Sequence, residues 1–228
     1  MNAPTLLLLP GMDGTGVLFK PLLDALPVTI HRQVICYPPK GEQSYNALVD
    51  WLLPSITQPV VVLGESFSGP VAISLAARLT KQVKGVILCA SFAKTPNPLT
   101  ALASHVPGKV LKAAANAAGA RMLFGRLSTS TLRRQFNESL QQVSGAVLQQ
   151  RIKQIDCVNV HAALQELTCP ILYLQGRRDY LVRSPSLKYI QTAQPNIQVE
   201  RFDAPHGLLQ TQPALAAQVI VRFMETIQ

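Results

Sequence analysis

The chain has 228 residues, of which 48% are hydrophobic and 14% are charged, and its formal net charge is +9. This composition is typical of a folded globular protein and excludes a largely disordered chain. The apolar runs are far shorter than the roughly 20 residues of a spanning helix, and the first residues lack a basic segment, so we expect no transmembrane segment, no secretory signal and a cytoplasmic location.

The cysteines and histidines indicate neither a metal site nor a disulfide scaffold. Four cysteines have no CxxC spacing, and four histidines have no HExxH spacing. Four cysteines are few for a disulfide-stapled fold of this length, so we expect buried free thiols in a reducing compartment and no bound metal. The cysteines are Cys36, Cys89, Cys157 and Cys169.

Short runs of leucine and β-branched residues alternate with segments of helical periodicity. Continuous apolar runs are typical of parallel strands buried on both faces. The predicted strands are Thr5–Leu9, Gln33–Tyr37, Val60–Leu63, Gly85–Ala90, Ile171–Leu174 and Gln198–Phe202. Helices are predicted in VLFKPLLDAL, SYNALVDWLLPSI and GPVAISLAARLT, and from Pro213 to Ile227. This order predicts an α/β fold, with a mostly parallel sheet of about six strands and helices on both faces.

One long segment, residues 94–167, breaks this alternation. It contains no convincing strand, and its alanine-rich part LKAAANAAGARML favours a helix. Within NESLQQVSGAVLQQRIKQI, one helical stripe is formed by Leu140, Val143, Val147, Leu148, Ile152 and Ile155. We therefore predict a helical insertion at 94–167 that divides a core domain made of residues 1–93 and 168–228.

The positive charge is concentrated in this insertion. Residues 93–168 contain nine lysines and arginines against three acids, a net charge of +6. Binding of single-stranded nucleic acid favours aromatic residues interleaved with the basic ones, but only Phe124 and Phe136 lie among these charges. We therefore expect no nucleic-acid partner. A solvated basic face is the simplest explanation, and an acidic partner is the alternative.

The third predicted strand leads into GESFSGP, Gly64 to Pro70, and then into a predicted helix. This is the context of a nucleophile elbow, in which the residues two before and two after the nucleophile are small. Gly64 and Ser68 meet this requirement around Ser66. If Ser68 were the nucleophile, Pro70 would occupy a crowded position, whereas proline is favoured in the first turn of a helix. Ser66 is therefore the predicted nucleophile.

Two later strands are each followed by a residue that could activate Ser66. A serine hydroxyl needs a base to remove its proton and an acid to orient that base. Asp179 follows the fifth predicted strand in LQGRRDYLV, and His206 follows the sixth in DAPHG. Asp203 is the alternative acid, but its position at a strand end favours a role in shaping the loop. Ser66, Asp179 and His206 form the predicted catalytic triad.

The first strand runs into a glycine-rich loop, LLLLPGMDGTG. A phosphate-binding loop would need a lysine followed by serine or threonine after its last glycine, whereas Val17 follows Gly16. The acid Asp13 would also repel a phosphate. The loop is therefore unlike a phosphate site.

A serine hydrolase needs two backbone N–H groups that point at the negative oxygen of its tetrahedral intermediate. The residue after the nucleophile, Phe67, supplies one. Met12, which follows Gly11 in the first loop, is predicted to supply the other. Gly11, Gly64 and Ser68 are then the supporting small residues of the loop and the elbow.

Taken together, LLLLPGMDGTG, GESFSG, LQGRRDYLV and DAPHG resemble the α/β-hydrolase superfamily over nearly the whole chain. The resemblance implies that the insertion lies in the cap position and that the chain is a carboxylesterase, lipase-like enzyme or thioesterase. Two residues depart from the family pattern. Pro10 stands where many members have histidine, and Ser68 replaces the second glycine of the elbow; neither removes a group that the mechanism uses.

The expected reaction is hydrolysis of a carboxylic ester, or a thioester, of a small to medium apolar acyl group through an acyl-enzyme, without a cofactor. Amidase, lactonase and C–C hydrolase activities with the same triad are alternatives, as is a non-catalytic ligand-binding protein on a hydrolase scaffold. The insertion is expected to cover the site and to shape the acyl pocket. An acidic acyl-carrier protein is the possible partner of its basic surface, at Arg133, Arg134 and Arg151.

Overall fold

The computed structural model describes residues 3–96 and 103–227. Six strands form one fully parallel sheet in the order β2-β1-β3-β4-β5-β6. The strands are β1 Thr5–Leu9, β2 Arg32–Val34, β3 Val60–Glu65, β4 Val83–Cys89, β5 Ile171–Gly176 and β6 Gln198–Phe202. The predicted sheet is confirmed. Strand β2 ends three residues before the predicted Tyr37, because the Tyr37 N–H leaves the sheet and donates to the carbonyl of Gly14 at 2.8 Å.

The helices lie between the strands and within the insertion. They are α1 Lys20–Ala25, α2 Tyr45–Leu52, α3 Gly69–Arg78, α4 Gly108–Ala114, α5 Ala120–Phe124, α6 Ser130–Gln142, α7 Gly145–Cys157, α8 His161–Gln165, α9 Ser184–Ala193, α10 Leu208–Thr211 and α11 Pro213–Glu225. Short 3₁₀ turns occupy Val17–Phe19, Leu53–Ser55, Ser66–Ser68 and Gly125–Leu127, and a π turn occupies Ala115–Gly119. In the part of the chain that the structure describes, no helix is both long enough and apolar enough to cross a bilayer.

Alternate residues of each central strand point to opposite faces of the sheet. In β1, Leu7 and Leu9 belong to a core shared with α2, α3 and α9, whereas Leu6 and Leu8 belong to a core shared with α1, α10 and α11. This period of two places hydrophobic residues on both faces, and helices cover each of them. The predicted layers are therefore confirmed.

Between residues 103 and 167 the insertion consists of helices joined by short loops, and residues 97–102 lie outside the described part; this segment, residues 103–167, is called the cap below. The predicted single stripe is divided between two helices. Helix α6 ends at Gln142, and the Ser144 hydroxyl begins α7 by accepting the Val147 N–H at 3.2 Å. The break occurs because serine caps a helix better than it continues one. A separate cap cluster is formed by Leu18, Phe124, Leu132, Phe136, Leu140, Val143, Val147 and Leu148.

The expectation of buried cysteines holds fully only for Cys89, and it is wrong for the two that are exposed. All are free thiols, but only Cys89 is buried, while Cys36 and Cys157 are exposed and Cys169 is half-buried. Cys36 lies in extended chain between buried Ile35 and a buried tyrosine, so alternation turns its side chain outward. Cys157 is the last residue of α7. Apolar neighbours in sequence did not indicate the direction of either side chain.

Candidate active site

Ser66 lies at the tip of a sharp turn between β3 and α3. Its φ of 50° is in the left-handed region, which non-glycine residues rarely adopt. A Cβ at Gly64 would lie 2.5 Å from the Ser68 carbonyl oxygen, and one at Gly69 would lie 1.8 Å from the Ser91 hydroxyl. Glycine is therefore needed at both positions, and the turn has the strained geometry of a nucleophile elbow.

His206 lies between Ser66 and Asp179. Its Nε2 is 2.8 Å from the Ser66 Oγ, and its Nδ1 is 2.8 Å from the Asp179 Oδ2. The other oxygen of Asp179 accepts the backbone N–H groups of Leu181 and Val182 at 2.8 and 2.9 Å. Since β3, β5 and β6 are parallel, their carboxyl ends meet at one edge of the sheet. The structure therefore brings the three predicted residues into one hydrogen-bonded chain.

The surroundings of His206 favour a base that faces Ser66. Burial lowers the pKa of His206, but the negative charge and hydrogen bond of Asp179, together with the charge of Glu65, outweigh it and raise the pKa above its usual 6.5. In the neutral ring, donation from Nδ1 to Asp179 leaves the lone pair of Nε2 directed at the Ser66 hydroxyl. This arrangement can accept the serine proton and stabilise the imidazolium that results.

Glu65 is a buried acid beside the nucleophile that the sequence analysis did not single out. Its Oε1 accepts the Gln210 amide at 2.9 Å, and the same amide donates to the Leu18 carbonyl at 3.2 Å. Burial raises the pKa of Glu65 to about 7; the charge of Asp13 adds to this, while the Gln210 hydrogen bond and His206 oppose it. The signal in the sequence that could have indicated Glu65 is its position inside the GESFSG motif, directly before Ser66.

The loop after β1 directs the backbone N–H of Met12 outward, away from the turn that the loop forms. The Gly14 N–H donates to the Gly11 carbonyl at 3.0 Å and closes a tight turn. In a trans peptide the N–H points opposite to the C=O, so the N–H of Met12 points away from this turn. Asp13 serves the loop itself, because its Oδ2 accepts the backbone N–H of Thr15 at 2.9 Å and also the Thr15 hydroxyl at 2.5 Å.

Ser68 ties the elbow to this loop. Its hydroxyl is fully buried and donates to the Pro10 carbonyl, while the Tyr37 hydroxyl lies 2.6 Å from it. Because the single proton of the Ser68 hydroxyl is donated to Pro10, the phenol of Tyr37, whose pKa is raised by burial, is the donor to Ser68. A glycine at position 68 could make neither bond. Ser68, predicted only as a small residue, thus holds the Met12 loop against the turn that carries Phe67.

Arg151 is not part of the basic surface that the sequence suggested. Its side chain is 1% exposed, and its guanidinium donates to the carbonyl of Met12 and to the side chain of Gln43. The prediction that Arg151 faces solvent is therefore wrong, because core acceptors lie within reach of α7. Arg133 and Arg134, the other two predicted docking residues, are exposed.

Within residues 3–96 and 103–227, no three histidine, cysteine, aspartate or glutamate side chains are grouped so that they could hold a metal ion. The chemistry that the site can perform is that of a serine activated by a histidine, beside two candidate backbone donors.

Comparison with known proteins places this site in context. The chain is 32% identical over 118 residues to phytyl ester synthase 1 of Arabidopsis thaliana, a match that covers 46% of this chain but only 17% of that protein. It is 26% identical over 226 residues to pimeloyl-[acyl-carrier protein] methyl ester esterase of Aromatoleum aromaticum, covering 89% of this chain and 90% of the relative.

Among solved structures, the enol-lactonase of Burkholderia xenovorans superposes with a TM-score of 0.85 at 16% identity, over 99% of this chain and 92% of that one. At that identity the likeness concerns the fold alone. A family model described as the alpha/beta hydrolase family matches residues 6–219. The chain belongs to the α/β hydrolase family.

Proposed function

We propose that this protein is a serine hydrolase that cleaves a carboxylic ester, or a thioester, of a small to medium apolar acyl group. The observation that carries the proposal is the position of His206, which lies 2.8 Å from both the Ser66 Oγ and the Asp179 Oδ2. Membership of a hydrolase family, with relatives named as an esterase and an ester synthase, supports the ester class.

The proposed reaction has two halves. In the first, His206 takes the proton of Ser66 as its oxygen attacks the substrate carbonyl, and the N–H groups of Met12 and Phe67 stabilise the oxyanion. The alcohol or thiol leaves with the proton from Nε2, and the acyl group remains on Ser66. In the second half, His206 deprotonates a water molecule that attacks the acyl-enzyme, and the acid departs as Ser66 regains its proton. Asp179 holds the imidazole in the required tautomer, and no cofactor takes part.

The test replaces the proposed nucleophile. Ser66→Ala is expected to lower kcat on an activated ester by about 10⁶-fold, because the attacking oxygen is lost. It is also expected to abolish labelling by a fluorophosphonate. Ser74→Ala, on helix α3 after the elbow, is the matched control and is expected to retain both ester turnover and fluorophosphonate labelling. Undiminished ester turnover by Ser66→Ala would overturn the proposal.

A substrate panel separates the related activities. It contains p-nitrophenyl esters of rising chain length, the corresponding anilides and a set of lactones, all assayed with the wild-type protein and Ser66→Ala. Ester turnover that depends on Ser66 supports an esterase. Turnover confined to anilides or lactones assigns the triad to those substrates instead, and a wild-type protein that is neither labelled nor active is a ligand-binding protein.

We also propose that an acidic acyl-carrier protein can deliver the acyl group by docking on the exposed arginines of the insertion. The net charge of +6 in this segment supports the proposal, as does the relative named for an acyl-carrier-protein ester. Electrostatic steering accelerates association by about 10-fold or more.

Arg133→Gln with Arg134→Gln is therefore expected to raise KM about 10-fold for a carrier-bound ester and to leave a free ester unaffected. The matched control is Lys81→Gln with Lys84→Gln, which removes two exposed charges at the opposite edge of the sheet. Equal effects on carrier-bound and free esters would mean that the basic face is only solvated.

A further inference from the structure

Arg151 is a buried charge whose hydrogen bonds, among the described residues, go to neutral groups. It projects from cap helix α7 and is 1% exposed. Burial lowers the pKa of Arg151, since removal of the guanidinium from water disfavours its charged form, and the nearby charge of Asp13 offsets only part of this effect. A buried charge is expensive, and an apolar side chain of similar length would fill the same space at lower cost. Packing alone therefore does not account for this arginine.

The guanidinium is held in a defined orientation by the core. Its Nε and Nη2 donate to the Oε1 of Gln43 at 3.0 and 2.8 Å, and its Nη1 donates to the Met12 carbonyl at 2.8 Å. Gln43 is 1% exposed and donates in turn to the Pro38 carbonyl at 3.2 Å. Because a guanidinium is planar and rigid, the bidentate contact with Gln43 sets the direction of the third bond, to Met12.

The surroundings of the guanidinium leave it little freedom. A Cβ on Gly14, whose φ is 73°, would lie 2.3 Å from the Nη1 of Arg151. The carbon of the guanidinium lies 5.6 Å from the centre of the Tyr37 ring and 5.9 Å from that of the Phe67 ring. These distances allow cation–π attraction. The guanidinium therefore contacts both residues whose backbone N–H groups are the proposed oxyanion donors, Phe67 through its ring and Met12 through its carbonyl.

Hydrogen bonds hold the peptide groups on both sides of Met12. The Gly11 carbonyl, on one side, accepts the Gly14 N–H, and the Met12 carbonyl, on the other side, accepts Arg151. A loop with several glycines would otherwise sample many orientations of these peptides. The hydrogen bond from Arg151 therefore fixes the backbone of a loop whose Met12 side chain also packs against the cap cluster.

We propose that Arg151 is a positioning residue of the oxyanion hole: from the cap, it holds the Met12 carbonyl, and thereby keeps the preceding peptide in the orientation in which the Met12 N–H points at the developing negative oxygen of the substrate. The inference rests on the proposed serine hydrolase function. It assigns to the cap a part in the chemical step, in addition to covering the site.

The test is Arg151→Met, which keeps the length and loses the donors. Removal of an oxyanion donor costs about 10²–10³-fold in kcat, and a displaced donor is expected to cost about 10–100-fold, with little change in KM. A trifluoromethyl ketone, which forms an oxyanion on the serine, should lose affinity by the same factor, whereas the matching alcohol should not. Lys153→Met, an exposed cation on the same helix, is the control.

Arg151→Lys retains one donor for Met12 and is expected to recover part of the lost kcat. Should Arg151→Met not fold, Gln43→Leu removes the acceptor that orients the guanidinium, and the same selective loss is expected. A wild-type kcat in folded Arg151→Met or Gln43→Leu would overturn the inference. An equal loss of affinity for the trifluoromethyl ketone and for the matching alcohol would also overturn it. Failure of the proposed function is distinguished from both, because the wild-type protein would then be inactive.

Discussion

The carboxyl edge of the sheet and the helical cap contribute to the site in different ways. At the sheet edge, Ser66, Asp179 and His206 each follow a strand, so the backbone of the sheet determines their separation. The cap packs around a cluster that it shares with Leu18, and it also reaches the site through hydrogen bonds. Arg151 binds the Met12 carbonyl, and the Leu123 carbonyl accepts the Gly207 N–H at 2.9 Å. The sheet thus positions the three proposed catalytic residues, while the role proposed for the cap is to hold the loops beside them.

A matched pair of glycine substitutions tests this division most strongly. In Gly64→Ala, the new Cβ would lie 2.5 Å from the Ser68 carbonyl oxygen, so the elbow backbone must shift. Overpacking of this kind costs about 1–3 kcal/mol of stability. A displacement of about 1 Å at the nucleophile costs about 100-fold in rate. We therefore expect kcat on a free ester to fall about 100-fold. The test measures both kcat and the melting temperature of the variant.

The cap partner of this pair is Gly119→Ala. Its Cβ would lie 2.4 Å from the ring of Phe136, inside the cap cluster. A similar loss of stability is expected, of about 1–3 kcal/mol, but kcat should change less than about 3-fold because no strand end moves. Equal losses of kcat in the two variants would contradict the division between sheet and cap.

The fold and the three central residues of the site could be predicted because their signals are local. Strands β3 and β5 are mostly apolar runs, and the exposed edge strand β6 continues the same alternation of strands and helices. The parallel order places all carboxyl ends at one edge. Ser66, Asp179 and His206 could thus be assigned from the strand that precedes each. The elbow could be recognised for the same reason, since Gly64 and Ser68 are near neighbours of Ser66 in the chain.

The rest could not be predicted because it depends on pairs that are distant in sequence. Arg151 and Gln43 are 108 positions apart, and an isolated arginine is usually exposed, so its charge was attributed to the surface. The bond between Ser68 and Pro10 spans 58 positions. The break at Ser144 is the exception, because serine before glycine is a local signal that the strong hydrophobic periodicity obscured.

The pH dependence of stability is the test with the smallest expected effect. It compares a buried acid at the sheet edge, Glu65, with an exposed charge on the cap. The folded state raises the pKa of Glu65 from 4.5 to about 7, chiefly by burial. Between these values the folded protein binds more protons than the unfolded chain, so the free energy of unfolding falls as the pH rises through this window. The shift corresponds to at most about 3 kcal/mol, which is lost by pH 8.

The glutamine side chain of the Glu65→Gln variant does not titrate. The variant should therefore lack this decrease in the free energy of unfolding. Its free energy of unfolding, relative to wild type, is expected to rise between pH 4.5 and 8, as measured by urea unfolding at each pH. The charge of Glu65 also raises the pKa of His206, so the acid limb of kcat/KM should move to lower pH in the variant. Lys153→Met, on the cap, should change neither profile. Parallel stability curves for Glu65→Gln and wild type would show that folding does not raise the pKa of Glu65, which would contradict this prediction.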